Sequence, residues 1–157
     1  MRTLFHLWLH PFSRKVRVVL AEKGLEFNLQ VEKVWERRTE FLALNPGGDV
    51  PVLVEPDGTA LANSQVICEY LEEVYPENNL IGHDAVQRAE TRRLVSWFDM
   101  KFNREVTDNL VTEKLMKQIL KLGEPHGPSI RAGHANIHYH LDISPSIMCI
   151  CFYNMHH

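Results

Sequence analysis

The sequence predicts an α/β domain followed by an all-α segment. Three observations carry this. The patterns run strand, helix, strand, helix, hairpin, helix as far as Tyr75. The stretch "YPENNLIGHD" then breaks them with Pro, Asn and Gly, which marks a linker near Tyr75–His83. Beyond it the apolar residues recur with a helical period. A βαβ half calls for a parallel strand pair with a crossover helix, and a ββα half for antiparallel pairing. Together they make a mixed four-stranded sheet with helices on its faces.

Each element has its own signal. Thr3–Leu9 is rich in β-formers and reads as the first strand. Phe12, Val16, Val19 and Leu20 fall on one helical face, and Gly24 sits where a helix C-cap glycine belongs. Phe27–Val31 reads as a second strand. Arg37–Leu44 reads as a short helix stopped by the turn residues "NPGG". "VPVLV" is a β-branched run, joined through "PDG" to Thr59–Leu61 as a hairpin. Val66, Ile67, Tyr70, Leu71 and Val74 form a helical stripe ended by Pro76.

After the linker, Asp84 with Gln87 has capping-box spacing. Leu94, Trp97, Phe98 and Phe102 line one helical face, and Val111, Leu115, Ile119 and Leu122 another. "GEPHGPS" interrupts, and Ile130, His134, Ile137 and Leu141 predict one more helix from near Pro128. From Ile143 the segment "ISPSIMCICFYNMHH" has no helical period and no acidic residue, and it reads as something other than a continuation of that helix. The expected boundaries are 1–78, 84–142 and a tail, 143–157.

Composition narrows the classes. The 157 residues are 45% hydrophobic and 24% charged, as in a water-soluble globular protein. A net charge of −3 argues against a broad nucleic-acid surface. No apolar run is long enough to span a bilayer. The short apolar run Leu4–Leu9 contains His6 and leads into Arg14, Lys15 and Arg17, unlike a signal peptide. Three cysteines without framework spacing fit a reducing compartment, so a cytoplasmic location is expected.

Four features from three places in the chain can converge in such a sheet. The turn His10-Pro11-Phe12-Ser13 precedes a helix, whose N-terminal N–H groups suit a thiolate or carboxylate. Val50-Pro51 precedes a strand. Most X–Pro bonds are trans, but a cis bond there would free the Val50 N–H and C=O for an extended peptide. Asn63-Ser64 opens the third helix, either as a plain N-cap or as a hold on a ligand carboxylate. Arg14, Lys15, Arg17, Arg37 and Arg38 are either solvated or ligand contacts. His134 and His138, four apart with His140 near, have the spacing of a shared metal, but no carboxylate or cysteine completes it, and no metal is expected. Cys68 lies on the apolar side of its helix and reads as core.

The segments "SRKVRVVLAEKGLEF", "NPGGDVPVLVEPDG" and "ANSQVICEYLEEVYP" resemble the N-terminal half of bacterial glutathione S-transferases. The resemblance implies a thioredoxin-like sheet domain followed by an incomplete all-helical domain, because further helices follow in complete members. It implies glutathione as co-substrate, a small electrophile as second substrate, and a homodimer. Val50 before Pro51 would pair with the cysteinyl backbone of glutathione, and Asn63 with Ser64 would hold its γ-glutamyl end. His10 stands where relatives place Ser or Cys. Ser13 lies three residues on, and the two stand level as thiol-activating candidates. With His10 and Ser13 in both cysteine columns, thiol–disulfide exchange from this turn is not expected. The implied function is conjugation of glutathione to electrophiles. The alternative is a non-catalytic glutathione-binding or interaction module derived from a truncated transferase.

Overall fold

A computed structural model describes the backbone of residues 1–155 and the side chains of residues 1–143. Backbone contacts divide the chain into two units, Met1–Leu80 and the part from Ile81 onward.

The first unit is a four-stranded sheet of order β2-β1-β3-β4, with β1 (Arg2–His6), β2 (Phe27–Val31), β3 (Val52–Val54) and β4 (Ala60–Ala62). β1 pairs parallel with β2 and antiparallel with β3, and β3 with β4 forms the hairpin, Val54 opposite Ala60. The helices are α1 (Pro11–Glu22), α2 (Thr39–Leu44) and α3 (Ser64–Val74). This is the mixed sheet the patterns predicted. Gly24 at φ +67 ends α1, its N–H donating to Ala21 O at 2.9 Å.

Alternation along β1 sends successive side chains to opposite faces. Leu4 joins Val16, Leu20, Leu53, Ile67 and Leu71 under α1 and α3. Phe5 joins Phe41, Val50 and Val52 on the other face. Burying each such side chain contributes about 1.5–3 kcal/mol. Two buried ion pairs hold the end of the unit. Arg2 Nε meets Glu55 at 3.1 Å, and Arg2 Nη2 donates to the Tyr75 hydroxyl at 2.8 Å. Lys23 Nζ meets Glu72 at 3.0 Å and donates to Tyr75 O at 2.8 Å.

Two local readings change here. β1 ends at His6 rather than Leu9, because Leu7–His10 closes into a turn with His10 N–H donating to Leu7 O at 3.2 Å. On α3, Ile67 and Leu71 are buried, while Val66 and Val74 at the edges of the stripe are about half exposed, at 51% and 47%.

The second unit is helical. α4 (Ala85–Ser96) continues into a π-wound stretch, Trp97–Met116, and closes on α5 (Lys117–Leu120). Asp84 caps α4 by accepting from the N–H groups of Val86 and Gln87. The Gln87 side chain reaches His83 N–H at 2.9 Å, so the capping pair is offset by one residue from the predicted box. α6 spans Gly127–Met155 and packs on the π-wound stretch.

The predicted helical stripes shift in this unit. Leu115, Ile119 and Leu122 are exposed rather than a buried face. Among the described side chains of α6 the buried positions are Gly133 and His140, whereas His134 and Leu141 are exposed. The expectation that the helix stops before a distinct 143–157 tail is also corrected, since the helix runs on through Pro145 to Met155. A proline removes one i→i−4 bond without forcing the chain to stop. The run Ile147–Phe152 is apolar on every side, so no period announces its helix. The tail's side chains beyond Ile143, Cys149 and Cys151 included, lie outside the described residues.

Candidate functional site

The site begins where β1 hands over to α1. His10 is the N-cap of α1, with ψ 118 in the extended region, and Pro11 takes the first helical position. Proline suits that place because its missing N–H would have no helical partner there. Ser13, one turn in, is completely buried, and its Oγ lies 3.1 Å from His10 Nδ1. The His10 ring meets Phe12 edge to face at 5.4 Å.

The loop before β3 supplies a second wall. Asn45 Nδ2 donates to Asp49 O at 2.9 Å, and Asn45 Oδ1 accepts from Gly47 N–H at 3.1 Å, which pins the "NPGGD" turn. The Val50–Pro51 peptide bond is cis. The start of α3 supplies the third wall. Asn63 caps α3 with Oδ1 accepting from Gln65 N–H at 2.8 Å and Val66 N–H at 3.4 Å. Ser64, the first residue of α3, is buried.

These walls enclose a cavity of about 480 Å³, lined by His10, Asp49, Val50, Pro51, Asn63 and Ser64 together with apolar neighbours. Burial pushes the His10 imidazole below its ordinary pKa, and the Asp49 carboxylate pulls it partly back. At neutral pH the ring is therefore neutral, with one N–H and one lone pair.

Residues 11–74 match the family model described as "Glutathione S-transferase, N-terminal domain". A solved glutathione S-transferase from Rhodospirillum rubrum F11 superposes with a TM-score of 0.89 at 57% identity, over 90% of this chain and 64% of that one. The chain is also 41% identical over 150 residues to FtsZ-localized protein A of Caulobacter vibrioides, covering 94% of this chain and 66% of that protein. Over 94 residues it is 42% identical to a maleylacetoacetate isomerase of Pseudomonas aeruginosa, covering 57% of this chain and 44% of that one.

The chain belongs to the glutathione S-transferase family.

It spans 64% to 66% of the length of the first two relatives. Its fold is the family's thioredoxin-like N-terminal domain with a helical C-terminal region. Within this glutathione S-transferase homologue, five of the six predicted site residues line one cavity. The exception is Ser13, which sits behind His10. Of the Asn63–Ser64 pair, Asn63 spends its side-chain oxygen on the helix cap, and Ser64 opens onto the cavity.

None of the predicted basic residues lines the cavity. Arg17 Nη2 donates to Trp8 O at 3.3 Å, its guanidinium over the Trp8 ring, and Arg38 forks onto Glu32. Asp49 and Asn45 were missed by sequence reasoning, although the Asn-Pro-Gly-Gly turn chemistry just before Val50-Pro51 was the signal for them. Among the described residues, no group of three or more His, Cys, Asp or Glu is placed to hold a metal. His134 Nε2 instead contacts Lys114 Nζ at 2.9 Å, and His140 Nε2 meets Glu105 at 3.0 Å.

Proposed function

We propose that the cavity binds glutathione and that the chain is a glutathione transferase acting on small electrophiles. The observation that carries this is the convergence of His10, Val50 and Ser64 on one cavity of the family's glutathione-binding domain. In this reading the Val50 backbone pairs with the cysteinyl unit beside Pro51. Ser64, at the N-terminal end of α3, holds the γ-glutamyl carboxylate, which the helix N–H groups favour. Asn63 fixes the helix that presents Ser64.

Turnover requires the thiolate. The thiol starts near pKa 8.5, and lowering it by two units needs about 2.7 kcal/mol. The α1 N-terminus contributes about 0.3–1 kcal/mol, and up to ~2 kcal/mol when partly buried. One hydrogen bond to the charged sulfur, worth roughly 1.5–3 kcal/mol, closes the gap. In this reading His10, which lines the cavity, donates it. The thiol proton leaves to solvent. The thiolate then forms a carbon–sulfur bond as the electrophile's leaving group departs with its electron pair.

Calorimetric titration with glutathione tests binding, and turnover of chlorodinitrobenzene tests conjugation. Micromolar-to-millimolar binding with measurable turnover is expected, and a wild-type protein that gives no heat with glutathione overturns the reading. The domain's role in detoxification, its cytoplasmic location and a homodimer belong to the same proposal.

A second reading has one observation in its favour. One relative that matches almost the whole of this chain is named as an FtsZ-localized protein. A non-catalytic glutathione-binding or interaction module that localises with FtsZ is that alternative. Co-sedimentation with FtsZ polymers, without conjugating turnover, would favour it.

A further inference from the structure

The two thiol-activating candidates are arranged in series. His10 lines the cavity, whereas Ser13 is fully buried and is not among the lining residues. The contact that joins them is Ser13 Oγ to His10 Nδ1 at 3.1 Å. Two arguments fix the direction of that bond. If Nδ1 carried the proton and donated to Oγ, the buried hydroxyl would keep its own proton with no other partner among the described residues. Orphaned buried donors are rarer than under-used acceptor oxygens. If Oγ–H donates instead, the donor is satisfied and only a spare lone pair remains. The second argument is electrostatic. His10 is the N-cap of a twelve-residue helix, and the partial positive charge there favours a lone pair over an N–H at the nearby ring nitrogen.

Resting on the glutathione reading above, we infer that Ser13 is a positioning residue. Its hydroxyl donates to His10 Nδ1 and locks the imidazole in the Nε2–H tautomer, which leaves Nε2–H as the donor for the ligand sulfur. The imidazole then works as a neutral donor at a helix N-terminus, a device for which neutral histidine is suited. The residue in the family's Ser/Cys column thus reaches the sulfur directly, and the serine three residues on acts only through it.

Two measurements test this. The first uses the ligand-free protein, with ¹⁵N-labelled histidines read by long-range ¹H–¹⁵N correlation at neutral pH and His10 assigned by its loss in His10→Ala. The Nε2–H tautomer is expected in the wild type, with a shift toward Nδ1–H in Ser13→Ala. A wild-type Nδ1–H tautomer overturns the inference, as does a tautomer that ignores Ser13→Ala. The wild-type spectrum alone decides the point if Ser13→Ala does not fold.

The second is a double-mutant cycle on thiolate formation by bound glutathione, followed by its ultraviolet absorbance against pH. His10→Ala should cost about a hundredfold and Ser13→Ala about tenfold, and the double variant should match His10→Ala within about threefold. Ser13→Thr, which keeps the hydroxyl, should recover most of the Ser13→Ala loss. Additive losses would mean that the two groups act independently, and the series arrangement would fail. A wild type that binds no glutathione sinks the functional reading but leaves the tautomer measurement standing, so the two failures are distinguishable.

Discussion

A neutral His10 couples the site to the stability of its unit. Burial is the larger influence and holds its pKa below the ordinary 6.5, while Asp49 opposes. A histidine with a depressed folded-state pKa contributes stability that is full above the unfolded value. That contribution is lost as pH falls through the folded value. Resistance to denaturant should therefore fall on acidification from pH 6.5, and the slope should be shallower in His10→Ala. Parallel curves for the two proteins would refute this. Ser64 offers a cleaner binding test, because it opens onto the cavity while Asn63 carries the cap. Losing one hydrogen bond to a charged ligand group costs roughly 1.5–3 kcal/mol. Ser64→Ala should therefore weaken glutathione binding about ten- to hundredfold in a calorimetric titration while leaving the unfolding midpoint within a few degrees of wild type.

At the scale of elements, the cap of α3 shows what sequence reasoning reaches and where it stops. An Asn before an apolar stripe predicts the N-cap, and Asn63 is one. Its backbone at φ +78 and ψ 129 was not legible, because residue type alone does not report a positive φ. Asn63→Ala therefore loses the cap and strains the backbone, for about 2–3 kcal/mol together. Asn63→Gly loses only the side-chain bond and should cost less than half as much in chemical denaturation. Equal losses would show that the backbone angle is immaterial. The sheet order was legible for a different reason: β1 and β3 are runs rich in β-formers, and strong turn residues separate the strands and close the β3–β4 hairpin. The helical unit was less legible. Over Trp97–Met116 the helix is π-wound, with Lys117 N–H reaching Thr112 O, five residues back. Stripes read on a period of 3.6 then fall on the wrong face, as Leu115 and Ile119 do. The site was legible in its walls, since a turn, an X-Pro bond and a helix start each carry their own residue signal. The order of His10 and Ser13 was not, because burial three residues apart in one turn depends on how the helix sits against the sheet.

For the whole molecule, the two units differ sharply in how many of their described apolar side chains are buried. Ten buried apolar side chains belong to Met1–Leu80, from Leu4 to Leu71. Among the described residues from Ile81 onward, Val106 alone joins them. The described part of the helical unit has a partly polar centre. There the buried His140 contacts the Trp97, Phe102 and Tyr139 rings and bonds to Glu105, whose carboxylate also takes Lys101 at 2.6 Å. It leaves Val86, Phe98, Met100, Leu115, Ile119, Leu122, Tyr139 and Leu141 exposed. Hydrophobic burial is the dominant favourable term in folding, so a unit with little of it opens more readily than one with two apolar clusters. Native-state hydrogen exchange should accordingly show slow amides in β1, β3, α1 and α3, and amides from Ala85 to Leu141 exchanging at least about tenfold faster. The same exposed side chains are a surface on which apolar partners associate. Raising protein concentration should therefore slow exchange around these side chains, and sedimentation should show a matching rise in mass. Exchange that is uniform across the chain and independent of concentration would show that the helical unit is held by something other than its sparse core.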